Sequence, residues 1–177
     1  MARIVHPEML QGKYVNLREV RLDDAAFILE LRTDEKKSRF LHKTDPDLQK
    51  QIDYLKRYFT LDNEWYFIIE NKKHEPLGTI RIYNVQGPRF TGGSWLMKDG
   101  ASPQESFEGH LLFRRYAFEV FNFEESVIDV RKSNTKVVRY HKICGSKIIG
   151  ETDLDYIFIT TREIYWQNKD KLFSMLG

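Results

Sequence analysis

The chain has 177 residues, 41% hydrophobic and 14% aromatic, a length that suits one domain and a composition that excludes a disordered chain. Its 28 basic and 26 acidic side chains nearly cancel to +2, which leaves no field to argue for nucleic-acid binding. No apolar run nears the ~20 residues of a membrane span, and a single cysteine, Cys144, excludes an internal disulfide and any cysteine-cluster metal site. The opening "MARIVHPEMLQGKY" lacks the apolar centre of a signal peptide. With no repeat or Ser/Gly linker, one domain over residues 1–177 in the cytoplasm is expected.

"KYVNLREV" alternates apolar and polar residues from Tyr14 to Val20, as a half-buried strand does. A helix follows in "LDDAAFILELRTD", with Asp23 as its cap and Ala26, Phe27, Ile28 and Leu29 on its apolar face. A second helix is predicted from Pro46 to Phe59, where Leu48, Ile52, Leu55 and Phe59 recur at helical spacing. "WYFIIE" and "PLGTIRIYNV", joined by "NKKHE", read as an antiparallel hairpin. "FTGGSWLMKD" is a third strand of this group, with Gly92 and Gly93 marking a bulge.

After Gly100 the chain turns into a long helix. Ser102-Pro103-Gln104-Glu105 has the form of a capping box with proline in the first turn. Phe107, Leu111, Leu112, Phe113, Tyr116, Ala117, Val120 and Phe121 give that helix a broad apolar stripe. "ESVIDVR" is a strand and "NTKVVRYHKI" a short helix. "SKIIGETDLDYIFITT" makes two strands around a turn near Asp153, and "REIYWQNKDKLFSML" is a closing helix. A helix between the third strand and "SVIDV" requires a parallel crossover within an otherwise antiparallel sheet. The expected fold is therefore α+β, with six to seven strands flanked by helices and a cleft where two parallel strands splay.

This order, with three local patterns, resembles the GNAT superfamily of acyl-CoA-dependent N-acyltransferases, and the resemblance covers nearly the whole chain. "GKYVNLREVRLDDA" is similar to the opening of the branch holding ribosomal-protein N-terminal and amino-sugar acetyltransferases. "YAFEVFNFEESVIDVRKSNTKVVRYHKICGSKIIGE" resembles the family's long helix, fifth strand and next helix, with Asn134, His141 and Gly145 at the recurring positions. "SWLMKDGASPQESFEG" stands where the family has its cofactor strand and pyrophosphate loop. It departs from the pattern, because Ala101, Gln104 and Ser106 replace the usual basic or amide residue and two small ones. Glycines there let the backbone approach a pyrophosphate, whereas Glu105 adds negative charge at the same helix start.

The resemblance implies acetyl-CoA as cosubstrate, no metal, and a cofactor site made by Leu96, Lys98, Gln104, Glu105, Ser106 and Asn134. Leu96 also packs as a core residue, while its amide is a candidate oxyanion donor. Asn134 is either a pantetheine contact or a helix N-cap. His141 is either the acid that protonates the departing thiolate or a packed, hydrogen-bonded histidine. Glu108 carries a favourable first-turn charge, and no general base is evident. Trp65, Tyr66, Tyr83 and Trp95 line an acceptor pocket or belong to the core. Neither His42 nor His110 has metal-ligand spacing, and Cys144 is a small apolar filler. The expected partner is a small-molecule amine, leaning to a nucleotide-linked amino sugar. A protein N-terminus as acceptor, or a non-catalytic binding module, are the alternatives, and a homodimer is possible by analogy.

Overall fold

Alternation within the second strand sets the layers. Tyr66 and Ile68 pack with Val20, Ile28, Leu55 and Tyr58 on one side, while Phe67 and Ile69 join Leu17, Ile80, Ile82, Leu112 and Tyr116 on the other. A strand buried on both faces belongs at the centre of a covered sheet, which explains why "WYFIIE" is almost continuously apolar. The computed structural model describes residues 3–39 and 44–177. His42 lies outside the described residues.

In chain order the elements are β1 (Val15–Glu19), α1 (Ala25–Thr33), α2 (Glu35–Ser38), α3 (Leu48–Tyr58), β2 (Trp65–Asn71), β3 (Pro76–Gln86) and β4 (Arg89–Met97). Then come α4 (Pro103–Arg115), β5 (Glu125–Arg131), α5 (Thr135–Ile143), β6 (Lys147–Glu151), β7 (Asp155–Thr161) and α6 (Arg162–Ser174). The strands form one seven-stranded sheet in the order β1-β2-β3-β4-β5-β7-β6. Its one parallel contact joins β4 to β5, and every other neighbouring pair is antiparallel. The fold class, hairpin and crossover are as expected. The turn between β6 and β7 also falls near Asp153.

Three local expectations shift. Exposed Asp23 does not cap α1. The buried Asp24 carboxylate accepts from the Arg21 amide at 2.7 Å and is gripped by both Arg18 Nη atoms at 2.8 Å. On α3 the buried face is Gln51, Leu55 and Tyr58, leaving Leu48 45% and Phe59 38% exposed. Tyr58 turns the helix that way because its hydroxyl donates to Glu19 Oε1 at 2.7 Å and accepts from the Tyr66 amide at 2.9 Å. The bulge in β4 sits at Ser94 rather than at the glycines. The register passes from Arg81↔Gly93 to Thr79↔Leu96, and Ser94 adopts φ 53°. The Thr79 hydroxyl donates to the Ser94 carbonyl at 2.7 Å, holding the bulge in place.

Long helix α4 ends in a wider π-type turn over Tyr116–Val120. Its Glu108 is 2% exposed and accepts from the amides of Lys13 (2.9 Å), Tyr14 (2.6 Å) and Val15 (2.9 Å). A Cβ on Gly12 would lie 2.5 Å from that carboxyl, so only glycine lets the chain pass so close. Glu108 thus ties the start of β1 to the helix and is no free base. Cys144 is fully buried against Leu111, Tyr140 and Leu172, a filler as expected.

Candidate active site

β4 and β5 are in register only at Arg89↔Glu125 and Phe90↔Ser126. Past that point the Thr91 hydroxyl reaches the Val127 carbonyl at 3.3 Å, and the strands then diverge. The divergence opens a cavity of about 400 Å³ lined by Trp95, Leu96, Met97, Ser106, Asn134 and Lys136, with Lys36, Lys37 and Arg39 at its edge. A second hollow of about 410 Å³ shares Trp95, Ser106 and Lys136 with it and adds Gln104, Phe107 and Tyr140. Leu96, Ser106, Asn134 and Gln104 are therefore gathered around one continuous region.

The remaining sequence candidates lie elsewhere. Lys98 gives its amide to the Leu77 carbonyl at 2.8 Å, and it lines another hollow with Asp34, Glu75 and Asp99, which shares Lys37 with the cleft. Glu105 Oε1 accepts the Ser102 amide at 2.8 Å while the Ser102 hydroxyl accepts the Glu105 amide at 3.1 Å, completing the capping box. Two amides at the start of α4 are thus already used. Gly100 makes the preceding corner at φ 90°, a conformation that L side chains rarely adopt. Asn134 occupies the N-cap position of α5 but makes no side-chain cap hydrogen bond, so its amide is not committed to the helix.

His141 is 5% exposed and stacked on Phe158 at 5.2 Å. Its Nδ1 lies 3.2 Å from Nη2 of buried Arg114. A guanidinium only donates, so Nδ1 accepts and the ring hydrogen sits on Nε2. Burial, aided by the Arg114 charge, pushes the His141 pKa down to about 3. A ring that stays neutral near pH 7 is no imidazolium acid. Its neighbour Tyr140 contacts His110 Nδ1 at 2.6 Å, and burial raises the Tyr140 pKa.

A further pocket, about 260 Å³, lies among α1, α3, β2 and β3, lined by Arg32, Thr44, Asp45, Lys50, Gln51, Tyr54, Tyr66 and Arg81. From its wall Arg32 Nη1 donates to the hydroxyl of Ser94, the bulge residue, at 3.2 Å. Of the four aromatics proposed from sequence, Tyr66 lines this pocket and Trp95 lines the cleft. Trp65 instead packs on Phe121 at 4.4 Å, and Tyr83 lies under the Arg81 guanidinium at 4.2 Å. Sequence reasoning missed Arg32, Arg81 and the lysines of α2. Arg81 alternates with Ile80 and Ile82 in β3, and its pairing with Tyr66 across the hairpin was the available signal.

The sheet thus carries a cleft where β4 parts from β5 and a smaller pocket rich in charged and polar side chains among α1, α3, β2 and β3. Residues 15–147 match the family model described as acetyltransferase (GNAT) domain. A search of curated proteins gives no match. Among solved structures, FdhC, described as a nucleotide-linked sugar GNAT, superposes with a TM-score of 0.85 at 30% identity, covering 95% of this chain and 98% of that one. A GCN5-related N-acetyltransferase from Brucella melitensis gives 0.76 at 16% identity, over 95% of this chain and 85% of that one. A chimera of the spermidine N-acetyltransferase SpeG from Vibrio cholerae and hSSAT gives 0.76 at 14%, over 87% and 99%. The last two likenesses show the fold alone. The chain belongs to the GNAT acetyltransferase family. It is an acyltransferase, and the family implies acetyl-CoA as the acetyl donor.

Proposed function

We propose that this protein transfers the acetyl group of acetyl-CoA to the primary amine of a nucleotide-linked amino sugar. The observation that carries the reading is the cleft opened by the splay of β4 from β5, with uncommitted Asn134 on one wall and the bulged main chain at Leu96 on the other. Such a cleft suits a pantetheine arm. The start of α4 suits a pyrophosphate less well, because the capping box already holds two amides. Lys36 and Lys136 at the edge of the cleft offer compensating charge.

Leu96, Gln104, Ser106 and Asn134 are the cofactor-binding residues of this reading. The Lys98–Leu77 bond and the Leu96↔Thr79 pairing turn the Leu96 amide toward β3, so it is not the oxyanion donor expected from the sequence. Lys98 and Glu105 leave the set, one facing another hollow and the other spent as a cap. His141, buried beside the Arg114 cation and lining neither the cleft nor the compact pocket, is not the proton donor of this reading. Acetyl-CoA supplies the thioester. The chain's own task is to hold it and the amine in line and to exclude water.

The sugar acceptor is supported by the likeness to FdhC and by a compact pocket of about 260 Å³. No described helix is long and apolar enough to cross a membrane, which accords with the cytoplasmic setting we infer. Calorimetry with acetyl-CoA, followed by acetylation assays on UDP-linked amino sugars, spermidine and N-terminal peptides, tests the proposal. Binding of acetyl-CoA with turnover of a nucleotide-linked amino sugar is expected. Turnover confined to spermidine or to the peptide would replace the acceptor, and absence of acetyl-CoA binding would end the transferase reading.

A further inference from the structure

The compact pocket has an unusual charge account. Arg32, Lys50 and Arg81 face a single lining carboxylate, Asp45. That carboxylate is taken by Lys50 at 2.6 Å, and both groups stand at least half exposed. The two arginines rest on neutral oxygens. Arg32 donates from Nε to the Thr44 hydroxyl at 2.9 Å and from Nη1 to Ser94, while Arg81 Nη1 donates to the Tyr54 hydroxyl at 2.9 Å. Among the described residues neither has a carboxylate within ion-pair distance. The Arg81 Nε is buried without a hydrogen-bond partner among the described residues, and the Tyr66 hydroxyl, on a residue 2% exposed, has the Arg32 guanidinium beside it but no well-aligned hydrogen bond. Buried donors and uncompensated guanidinium groups are costly unless a ligand completes them.

We infer that this pocket holds the acceptor by a phosphoryl group, with Arg32 and Arg81 as the forks that grip its oxygens and Tyr66 as an added donor. The inference rests on the transferase reading above and names the side chains that would hold the phosphate of its nucleotide-linked substrate. Arginine presents paired N–H groups at the spacing of two phosphate oxygens, so two guanidinium groups on facing elements suit a diphosphate. Charge also decides against the competing acceptor. Spermidine is a polycation, and it would meet three cations with one already neutralised carboxylate to receive it. The same cations disfavour the protonated form of an amine held near the bulge, so the nucleophile enters neutral without a carboxylate base in the pocket. Arg32 ties both tasks together, since it spans from the pocket to Ser94, two residues before Leu96.

The test is calorimetry with inorganic pyrophosphate on full-length protein saturated with acetyl-CoA, repeated on R32Q and R81Q. Pyrophosphate should bind the loaded wild type, and each variant should weaken it by at least about tenfold, the loss expected for one charge-assisted hydrogen bond. Acetyl-CoA affinity should stay within about twofold, which also shows that the variants are folded. If R81Q does not fold, R32Q carries the comparison. Failure of pyrophosphate to bind the loaded protein, equal binding by the variants, or competition between spermidine and pyrophosphate would each overturn the inference. A protein that binds pyrophosphate through these arginines yet neither binds acetyl-CoA nor transfers acetyl would keep the pocket and lose the transferase reading, so the two failures are distinct.

Discussion

His110 and His141 share an environment that forbids charge. Both are buried, both have Arg114 nearby, and their rings lie 6.1 Å apart. Burial first, then the Arg114 charge, lowers both pKa values, that of His141 to about 3. An unfolded histidine titrates near 6.5. Below that pH the unfolded chain binds protons that the folded chain refuses, so the folded state loses ground as pH falls. Each ring's contribution is complete above about pH 6.5 and declines as pH drops towards its folded pKa. Urea unfolding between pH 7 and pH 4 should therefore show stability falling by up to about 1.4 kcal/mol per pH unit for each ring. The His141→Gln variant keeps an acceptor for Arg114 and should remove one ring's share of that slope. An unchanged slope in H141Q would refute the assignment. Activity should show no titration near pH 6.5 from His141.

At the scale of elements, the start of α4 serves stability at some expense to anion binding. Ser102 and Glu105 satisfy each other's amides, and the Glu105 carboxylate sits at the positive end of the helix dipole, where it competes with any phosphate. Glu105→Ala should then have opposite effects on two measurements. Stability should fall by about 1 kcal/mol from loss of the cap. The Kd for acetyl-CoA should fall roughly fivefold, since about 1 kcal/mol of repulsion is relieved. Thermal melts and calorimetry on the same sample read both, and weaker acetyl-CoA binding in E105A would show that Glu105 assists the cofactor. This capping box was legible in the sequence because it depends on four consecutive residues. So were the layers, since Tyr66, Phe67, Ile68 and Ile69 alternate between two clusters. The bulge at Ser94 was misplaced because neighbouring glycines are the stronger local signal, while the decisive bond comes from Thr79 on another strand. The choice between the two readings of His141 was not legible for a similar reason: it turns on burial by distant elements and on Arg114, 27 positions away. The acceptor pocket was legible only in part. Tyr66 stood out as an aromatic, but Arg32 and Arg81 come to line one pocket only after α1, α3, β2 and β3 have packed.

For the whole molecule, the sheet ends at β1 on one side and β6 on the other. An edge strand presents unpaired backbone groups, which soluble proteins blunt with charge, irregularity or a partner. β6 carries Lys147 and Glu151 at its ends and a register irregularity between Ile148 and Gly150, yet its centre is apolar. Ile148 is 42% and Ile149 57% exposed, and Leu154 in the adjoining turn is 58% exposed. On the following helix Trp166 is 52% exposed, with the Lys169 ammonium 4.7 Å above its ring. Several large apolar side chains along one edge suit burial against a second copy, because a twofold axis lets the same strand meet itself. Light scattering on the purified chain should give the mass of a dimer, and Ile149→Lys should shift it to a monomer by placing two ammonium groups at the axis. The cleft proposed for acetyl-CoA is lined by α2, β4, α4 and α5 rather than by β6, so the I149K monomer should bind acetyl-CoA with unchanged affinity. A wild-type monomer, or a dimer that survives I149K, would remove β6 from any role in assembly.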